Sequence, residues 1–166
     1  MINQNRQMGT LSSLNKGGSV VSPPGEIISY INYYSRKKYF SSITDVCEQY
    51  LSRAEDPVFR LWNSYGHCMQ GNLSEAIRGY NTIKERKEVQ LAAYIGLIAA
   101  HEQSAHQDEQ EIEQLKTMVE MEKTSAQNSA KLQAAMLYMH MGEYDEAKSL
   151  LEDVSTLILS EVTPSD

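Results

Sequence analysis

The stretch Gly71-Asn72-Leu73-Ser74-Glu75-Ala76 is the strongest indication of the fold, and Gly142-Glu143-Tyr144-Asp145-Glu146-Ala147 repeats its pattern. Both segments have the pattern Gly-x-x-x-Glu-Ala and follow an apolar stretch with helical spacing. Glycine ends a helix readily because it adopts backbone conformations that other residues avoid. The small alanine side chain lets the returning helix approach the first one closely. Each segment therefore predicts the turn of an antiparallel helical hairpin.

The spacing of these turns indicates a repeat. Ala76 and Ala147 are separated by roughly two periods of 34 residues, the length of a tetratricopeptide repeat. Ser42, another small residue, lies about one such period before Ala76, which places Lys37 where the turn glycine would stand. Bulky residues follow the small ones by four positions, at Val46, Tyr80 and Leu151. We therefore predict an all-α fold, an α-solenoid of about four antiparallel helical hairpins of the tetratricopeptide-repeat type.

Apolar residues at i, i+3, i+4 and i+7 positions mark the helices of these hairpins. They predict a repeat domain over residues 26–155, with hairpins at about 26–55, 57–87, 88–123 and 126–155. Residues 1–25 lack this periodicity and contain Gly17-Gly18 and Pro23-Pro24-Gly25, so we expect a disordered leader there. Residues 156–166 are expected to form a C-terminal tail.

Two helix starts have recognisable capping patterns. Asp56 is a good N-cap residue, and Pro57 suits the first helical position because its missing N–H is not needed there. Asn72 with Glu75 three residues later has the form of a capping box. Both pairs predict that a helix begins directly after them.

Composition excludes several function classes. The net charge is -7 and the isoelectric point about 5.1, which disfavours nucleic-acid binding because an acidic chain repels phosphate. The longest apolar runs are too short to cross a bilayer, so direct membrane insertion is not expected. The two cysteines, Cys47 and Cys68, are too few for a disulfide framework. We expect a reducing, cytoplasmic environment.

The residue types that perform catalysis do not converge in the sequence. His101 and His106 are spaced so that they fall on different helix faces, and His67 is adjacent to Cys68, so their side chains diverge. Zinc needs three or four convergent ligands. Cys47 lies on an apolar stripe and is expected in the core. The sequence therefore predicts no metal, no cofactor and no enzyme activity. The alternative is a helical enzyme or a regulator of an enzyme, which would require a cleft of convergent His, Glu or Cys side chains.

Several stretches together resemble the N-terminal region of the tetratricopeptide-repeat protein 21 family, the large repeat subunit of intraflagellar-transport complex A. The resemblance covers roughly residues 28–154. It rests on these segments: Ile31-Asn32-Tyr33-Tyr34, Lys38-Tyr39-Phe40, Asp56-Pro57-Val58-Phe59-Arg60, Ile98-Ala99-Ala100-His101 and Met141-Gly142-Glu143-Tyr144-Asp145-Glu146-Ala147. It implies a scaffold for retrograde ciliary transport and ciliary cargo entry, with complex A subunits as partners, located in the cytoplasm at the cilium or basal body. The family's proteins are much longer solenoids.

Candidate partner contacts follow from residue type and place. Stacked hairpins should form a concave groove lined mainly by the first helices, where Arg60 and Lys131 are the main basic residues. Tyr33 and Tyr39 crowd the first hairpin, and exposed tyrosine is favoured at interfaces. The alternative is a generic repeat adaptor or co-chaperone-like peptide binder unrelated to cilia. That function would need a clamp of Lys, Arg and Asn side chains, in which the first helices are poor.

The end of the repeat region is strongly apolar. Leu157 and Ile158 follow Leu150, Leu151 and Val154, whereas solenoids usually close with a polar cap. We therefore predict an exposed apolar face near the C-terminus, covered by a partner or by self-association.

Overall fold

The computed structural model describes the backbone of residues 24–162 and the side chains of residues 25–155. Short turns and links connect eight helices in this described part of the chain, which confirms the predicted all-helical repeat fold. The helices are α1 Pro24–Arg36, α2 Phe40–Leu51, α3 Pro57–Met69, α4 Leu73–Ile83, α5 Gln90–Gln103, α6 Glu109–Ser125, α7 Asn128–His140 and α8 Tyr144–Val162.

The chain ends differ in how much of them the structure describes. Most of the predicted leader, residues 1–23, lies outside the described residues. The backbone of α8 continues to Val162, past residue 155, where the sequence analysis placed the end of the repeat domain. Apolar spacing continues through this segment, so the same helix accommodates it.

Three hairpin turns use the left-handed backbone conformation. Gly71 and Gly142 have φ values of 81° and 82°, as the turn pattern predicts, and Lys38 has a φ of 60°. Lys38, not Lys37, therefore occupies the turn position of the first hairpin, and the predicted alignment on Lys37 and Ser42 was wrong by one residue. A lysine in this conformation has no distinctive sequence pattern, whereas glycine adopts it at no steric cost.

The two predicted helix caps have different outcomes. Asp56 accepts hydrogen bonds from the backbone N–H groups of Val58 at 2.8 Å and Phe59 at 3.3 Å, with Pro57 at the first helical position. This confirms the start of α3. Asn72 makes no side-chain capping bond, and Glu75 instead pairs with Arg78. The predicted capping box was therefore wrong, although α4 begins where expected.

The core lies where the middle helices meet. Helix α5 contacts α3, α4, α6 and α7, and most of its residues are buried, which explains why it is apolar around its whole circumference. Tyr80 of α4 is fully buried against Gly96 of α5. Gly96 has no side chain, so the tyrosine ring can lie directly on the α5 backbone. This contact joins the second hairpin to the third.

The first helix turns back onto the seventh. The Asn32 side chain on α1 hydrogen-bonds His140 at the end of α7, with 2.8 Å between Oδ1 and Nε2. Tyr65 of α3 lies between them, 2.7 Å from the Ser35 hydroxyl and donating to the His140 carbonyl at 3.5 Å. Trp62 and Tyr65 are fully buried. The first helices of the first, second and fourth hairpins therefore meet at this point, where an open concave groove was expected.

Candidate functional site

A polar groove of about 700 Å³ runs along α3, between α2 and α4. Its floor is one face of α3, formed by Arg60, Asn63, Ser64 and His67 at helical spacing. Its walls come from the end of α2, the link to α3, helix α4 and the segment after it: Glu48, Leu51, Ser52, Glu55, Asp56, Pro57, Glu75, Arg78, Gly79, Thr82, Ile83 and Arg86. The groove is the candidate site because it gathers charged and hydrogen-bonding groups in one concave surface.

Gly79 allows α4 to lie close to the groove floor. A side chain at this position would collide with the Ser64 hydroxyl and would place its Cβ 3.3 Å from the Ser64 Cβ. The Ser64 hydroxyl is itself occupied, since it donates to the Arg60 carbonyl at 2.9 Å. The floor residues next to Ser64 are therefore held between two closely packed helices.

The arginines at the groove are each paired with a nearby carboxylate. Arg60 pairs with Glu55 and Arg78 with Glu75, and Arg86 pairs with Glu88 at 3.0 Å. Exposed pairs of this kind contribute little stability. The lining also holds four carboxylates, Glu48, Glu55, Asp56 and Glu75, against these three arginines, so the groove carries no excess of positive charge.

Two acceptor atoms at the floor have no hydrogen-bond partner. They are Asn63 Oδ1 and His67 Nδ1, both buried, and the Asn63 residue is only 7% exposed. The other ring nitrogen of His67, Nε2, lies 3.4 Å from the Glu48 carboxylate. A proton on Nε2 is favoured beside that negative charge, which leaves Nδ1 as an acceptor. The floor therefore contains two buried polar atoms that the described part of the chain leaves unpaired.

The contact between α1, α3 and α7 forms a second polar cluster, inside the fold. The His140 ring packs against Trp62 and Tyr65 at centroid distances of 5.6 and 6.0 Å. Burial, followed by the nearby Arg36 guanidinium, lowers the pKa of His140 below its ordinary value. Burial raises the pKa of Tyr65, while its hydrogen bond to Ser35 opposes the rise. Both groups are neutral at pH 7, and the cluster acts as a joint between helices.

The candidate residues from the sequence do not form one surface. Arg60 lines the groove, 29% exposed, whereas Tyr33, Tyr39 and Lys131 do not line it. Tyr33 is exposed beside Tyr34 at a centroid distance of 5.8 Å, and Tyr39 is partly buried against the core. Lys131 is only 5% exposed in α7, so it offers little surface to a partner. The side chains of Leu157 and Ile158 lie outside the described residues.

The last hairpin exposes several apolar side chains in its described part. Leu132 and Met139 are exposed seven positions apart on α7, and Tyr144 and Leu151 have the same spacing on α8. Each pair therefore shares one helix face. The predicted covering of this end by a partner or by self-association stays a prediction.

The described residues offer no arrangement typical of catalysis. Burial is the largest cause of a raised pKa at both Cys47 and Cys68, which makes their thiols poor nucleophiles. No group of three or more His, Cys, Asp or Glu side chains could hold a metal ion in the searched part of the structure. Among the described helices, none has the length and apolar character needed to cross a membrane.

Comparison with known proteins identifies relatives of the chain. A family described as the tetratricopeptide repeat protein 21 N-terminal ARM repeat matches residues 31–162. Human tetratricopeptide repeat protein 21B is 31% identical over 128 residues, which are 76% of this chain and 10% of that protein. Mouse tetratricopeptide repeat protein 21A is 25% identical over 132 residues, 79% of this chain and 10% of that protein. The chain spans about a tenth of the length of the curated relatives it matches.

Proposed function

The chain belongs to the tetratricopeptide repeat protein 21 family, and from this premise we propose that it is a non-catalytic scaffold that binds other proteins in ciliary transport. The observation that supports the proposal most is the family match over residues 31–162, which covers nearly the whole of the helical stack. Stacked helical hairpins generally serve as rigid surfaces for partners. The chemistry of the groove also favours binding, since its groups suit recognition of a polar surface.

The ciliary part of the proposal rests on the resemblance to the large repeat subunit of intraflagellar-transport complex A. In that role the chain would contact complex A subunits and contribute to retrograde transport or cargo entry at the cilium or basal body. The helical stack α1–α8 gives it a surface for such contacts.

Recovery of partners from ciliated cells tests this function. Tagged full-length chain is purified from ciliated cells and from the same cells before ciliation, and bound proteins are measured by quantitative mass spectrometry. We expect complex A subunits to be enriched over a tag-only control in the ciliated sample. A preparation that contains well-folded chain and no complex A subunit would contradict the ciliary proposal.

A generic adaptor that clamps acidic peptide tails is the second candidate, and the groove argues against it. Such a clamp needs cationic side chains that are free to bind carboxylates. The groove lining sets four carboxylates, Glu48, Glu55, Asp56 and Glu75, against its three arginines, so an acidic tail would meet more like charge than opposite charge there. Lys131 is nearly buried. We therefore rank the scaffold function in ciliary transport above this alternative.

Self-association through the last hairpin is a separate part of the proposal. The exposed side chains Leu132, Met139, Tyr144 and Leu151 supply apolar area that a second chain could cover. Sedimentation velocity over a range of concentrations tests it. The sedimentation coefficient should rise with concentration, and a constant monomeric value would argue against self-association.

A further inference from the structure

The turn between α1 and α2 carries three consecutive cations. Arg36, Lys37 and Lys38 are all exposed to solvent. Backbone hydrogen bonds shape the turn, from the Lys37 N–H to the Tyr33 carbonyl and from the Lys38 N–H to the Ser35 carbonyl, both at 3.1 Å. The three charges therefore lie close together on a backbone turn of defined shape.

These cations have no carboxylate partner in the part of the chain that the structure describes. Arg36, Lys37 and Lys38 form no ion pair there. Six other basic residues each pair with a carboxylate: Arg60, Arg78, Arg86, Lys116, Lys123 and Lys148. Arg36 lies in the last turn of α1, where a cation complements the negative end of the helix dipole. Lys37 and Lys38 add two charges beyond the end of that helix.

Lys38 also occupies a strained backbone position. Its φ of 60° lies in the left-handed region, which Gly71 and Gly142 occupy in the corresponding turns. A residue with a side chain is strained in this conformation, whereas glycine is not. The Lys38 side chain is exposed, so buried packing does not offset the strain. Residues held in this way concentrate at functional sites, and the property that Lys38 adds to the turn is its charge.

The acidic charge of the chain lies elsewhere. Residues 24–100 contain nine basic and eight acidic residues, whereas residues 101–155 contain four basic and twelve acidic residues. The first two turns lie side by side, because the Gln70 side chain donates to the Phe40 carbonyl at 3.4 Å. The second turn, Gln70-Gly71-Asn72, has no charged residue. The cations of the first turn therefore dominate the charge at this part of the stack.

The sign of this charge identifies the partner chemistry. We propose that Arg36, Lys37 and Lys38 dock an acidic segment of a partner protein, in which several Glu or Asp side chains lie close together. This inference rests on the proposed scaffold function and names the chemistry of one contact surface on it. Carboxylates accept charge-assisted hydrogen bonds from Lys and Arg, which are stronger than those between neutral groups. The exposed Tyr33 lies one turn before Lys37 and adds a hydroxyl donor beside the cations.

A bilayer or a nucleic acid is a poorer match than a short acidic segment. Antiparallel helical hairpins place their turns at one end of the stack, so the link before α6 and the turn before α8 bring Asp108 and Glu143 to this end. An extended anionic surface would meet these carboxylates together with the cations. A short segment contacts the first turn alone. None of the three cations lines the polar groove, so the proposed surface is open and differs from a peptide clamp.

A defined peptide tests the assignment by NMR. The probe is acetyl-Gly-Glu-Glu-Glu-Glu-Gly-amide, added to ¹⁵N-labelled full-length chain, and the backbone amides of residues 33–39 are followed. We expect saturable shifts at these amides that weaken as salt is raised, because salt screens exposed charges. The same peptide with glutamine in place of glutamate should leave them unchanged. Equal shifts with the glutamine peptide, or no shifts at residues 33–39, would overturn the assignment.

Anionic vesicles test whether a lipid surface is the ligand instead. Vesicles of phosphatidylcholine with phosphatidylserine should bind the chain no better than vesicles of phosphatidylcholine alone. Preferential binding to the anionic vesicles, without binding of the glutamate peptide, would assign the cations to a membrane surface and overturn the proposal.

A triple variant tests the three cations together. The turn variant, which combines Arg36→Gln, Lys37→Gln and Lys38→Gln, should weaken binding of the glutamate peptide by about tenfold or more, because it removes up to three exposed ion pairs. Far-UV circular dichroism checks that the turn variant is folded. Binding by a folded turn variant that equals binding by the unmodified chain would refute the role of these residues.

A matched control separates the turn from the net charge of the chain. Lys84→Gln, Arg86→Gln and Lys87→Gln, combined in one variant, make the same change of charge in the link between α4 and α5. This control variant should bind the glutamate peptide as the unmodified chain does. Equal weakening by the control and the turn variant would show that only net charge matters, and would overturn the proposed surface.

Recovery from ciliated cells distinguishes this inference from the proposed function. If the unmodified chain and the turn variant recover complex A subunits equally, the turn is not the docking surface for them and the scaffold function stands. If the unmodified chain recovers none, the ciliary function fails, and the peptide titration still decides what the turn binds.

Discussion

Replacing Gly96 by alanine tests the contact that joins the second hairpin to the third. An added Cβ would lie 2.5 Å from Tyr80 Cε1, 2.7 Å from its Oη and closer still to Cζ, against 3.4–4 Å for ordinary contacts. Tyr80 is 1% exposed, so its ring cannot move aside without disturbing the core. Overpacking of this kind costs about 1–3 kcal/mol, and the upper end of that range applies because the added Cβ meets a fully buried ring.

Helix propensity acts in the opposite direction. Alanine is favoured over glycine by about 1 kcal/mol in a helix interior. The net loss should therefore be about 2 kcal/mol. Urea unfolding followed by far-UV circular dichroism measures this loss. Gly25→Ala is the matched control, because no atom lies within 4 Å of its added Cβ, and it should be neutral or slightly stabilising.

A double-mutant cycle assigns the loss to Tyr80. In a Tyr80→Leu background the Gly96→Ala change should cost less, with a coupling energy of about 1–3 kcal/mol. A Gly96→Ala protein within about 0.5 kcal/mol of the unmodified chain, the usual range for surface changes, would refute the close packing of α4 on α5.

Three further predictions concern the turn, the groove and the contact of α1 with α7. Lys38→Gly should stabilise the chain by up to about 1 kcal/mol, because glycine adopts the left-handed conformation without strain. The control Lys37→Gly should not stabilise it, because Lys37 has no positive φ. Urea unfolding compares the two variants. Asn63→Leu should stabilise the folded chain by about 1–3 kcal/mol, because it removes a buried acceptor that has no partner. Urea unfolding measures the change, and a loss of stability would contradict the view that Asn63 Oδ1 is buried and unpaired. The lowered pKa of His140 means that the unfolded chain binds the proton more tightly than the folded chain. The contribution of His140 to the free energy of unfolding is therefore complete above the unfolded-state pKa of about 6.5. It falls as the pH drops from there toward the folded-state pKa. In urea unfolding between about pH 7.5 and pH 5.5, His140→Gln should make the free energy of unfolding depend less on pH. The control His106→Gln, at an exposed position, should not. Equal pH dependence for the two variants would contradict the prediction.

The local elements of the fold were predictable because their causes are local. Asp56-Pro57 marks the start of α3, and Gly71 and Gly142 mark two turns, since each follows from backbone preferences of the residue itself. Lys38 escaped prediction because it is an exposed lysine, while the left-handed conformation comes with the backbone hydrogen bonds that end α1, from Lys38 N–H to the Ser35 carbonyl and from Tyr39 N–H to the Tyr34 carbonyl. The Asn72 capping pattern failed because Glu75 has Arg78 as a competing partner on its own helix.

The candidate site was much less predictable. Arg60 was identified as a basic residue of a first helix, but its groove depends on how the three successive helices α2, α3 and α4 pack together, which no local pattern indicates. Asn63 and His67 were missed because the sequence does not show whether a buried polar atom has a hydrogen-bond partner. That depends on which side chains the packed helices place around it. The signal for Asn63 was a polar residue between Trp62 and Ser64 in the first half of α3. The contact of Asn32 with His140 spans most of the chain, and no local pattern indicates it.

A binding measurement between purified components decides whether this chain is a protein-binding scaffold in ciliary transport. Purified full-length chain is titrated into immobilised complex A subunits, and binding is measured by biolayer interferometry. We expect saturable binding with a Kd of about 10 µM or tighter, in the range of specific protein interfaces. Absence of saturable binding up to about 100 µM chain, well above that range, would contradict the claim.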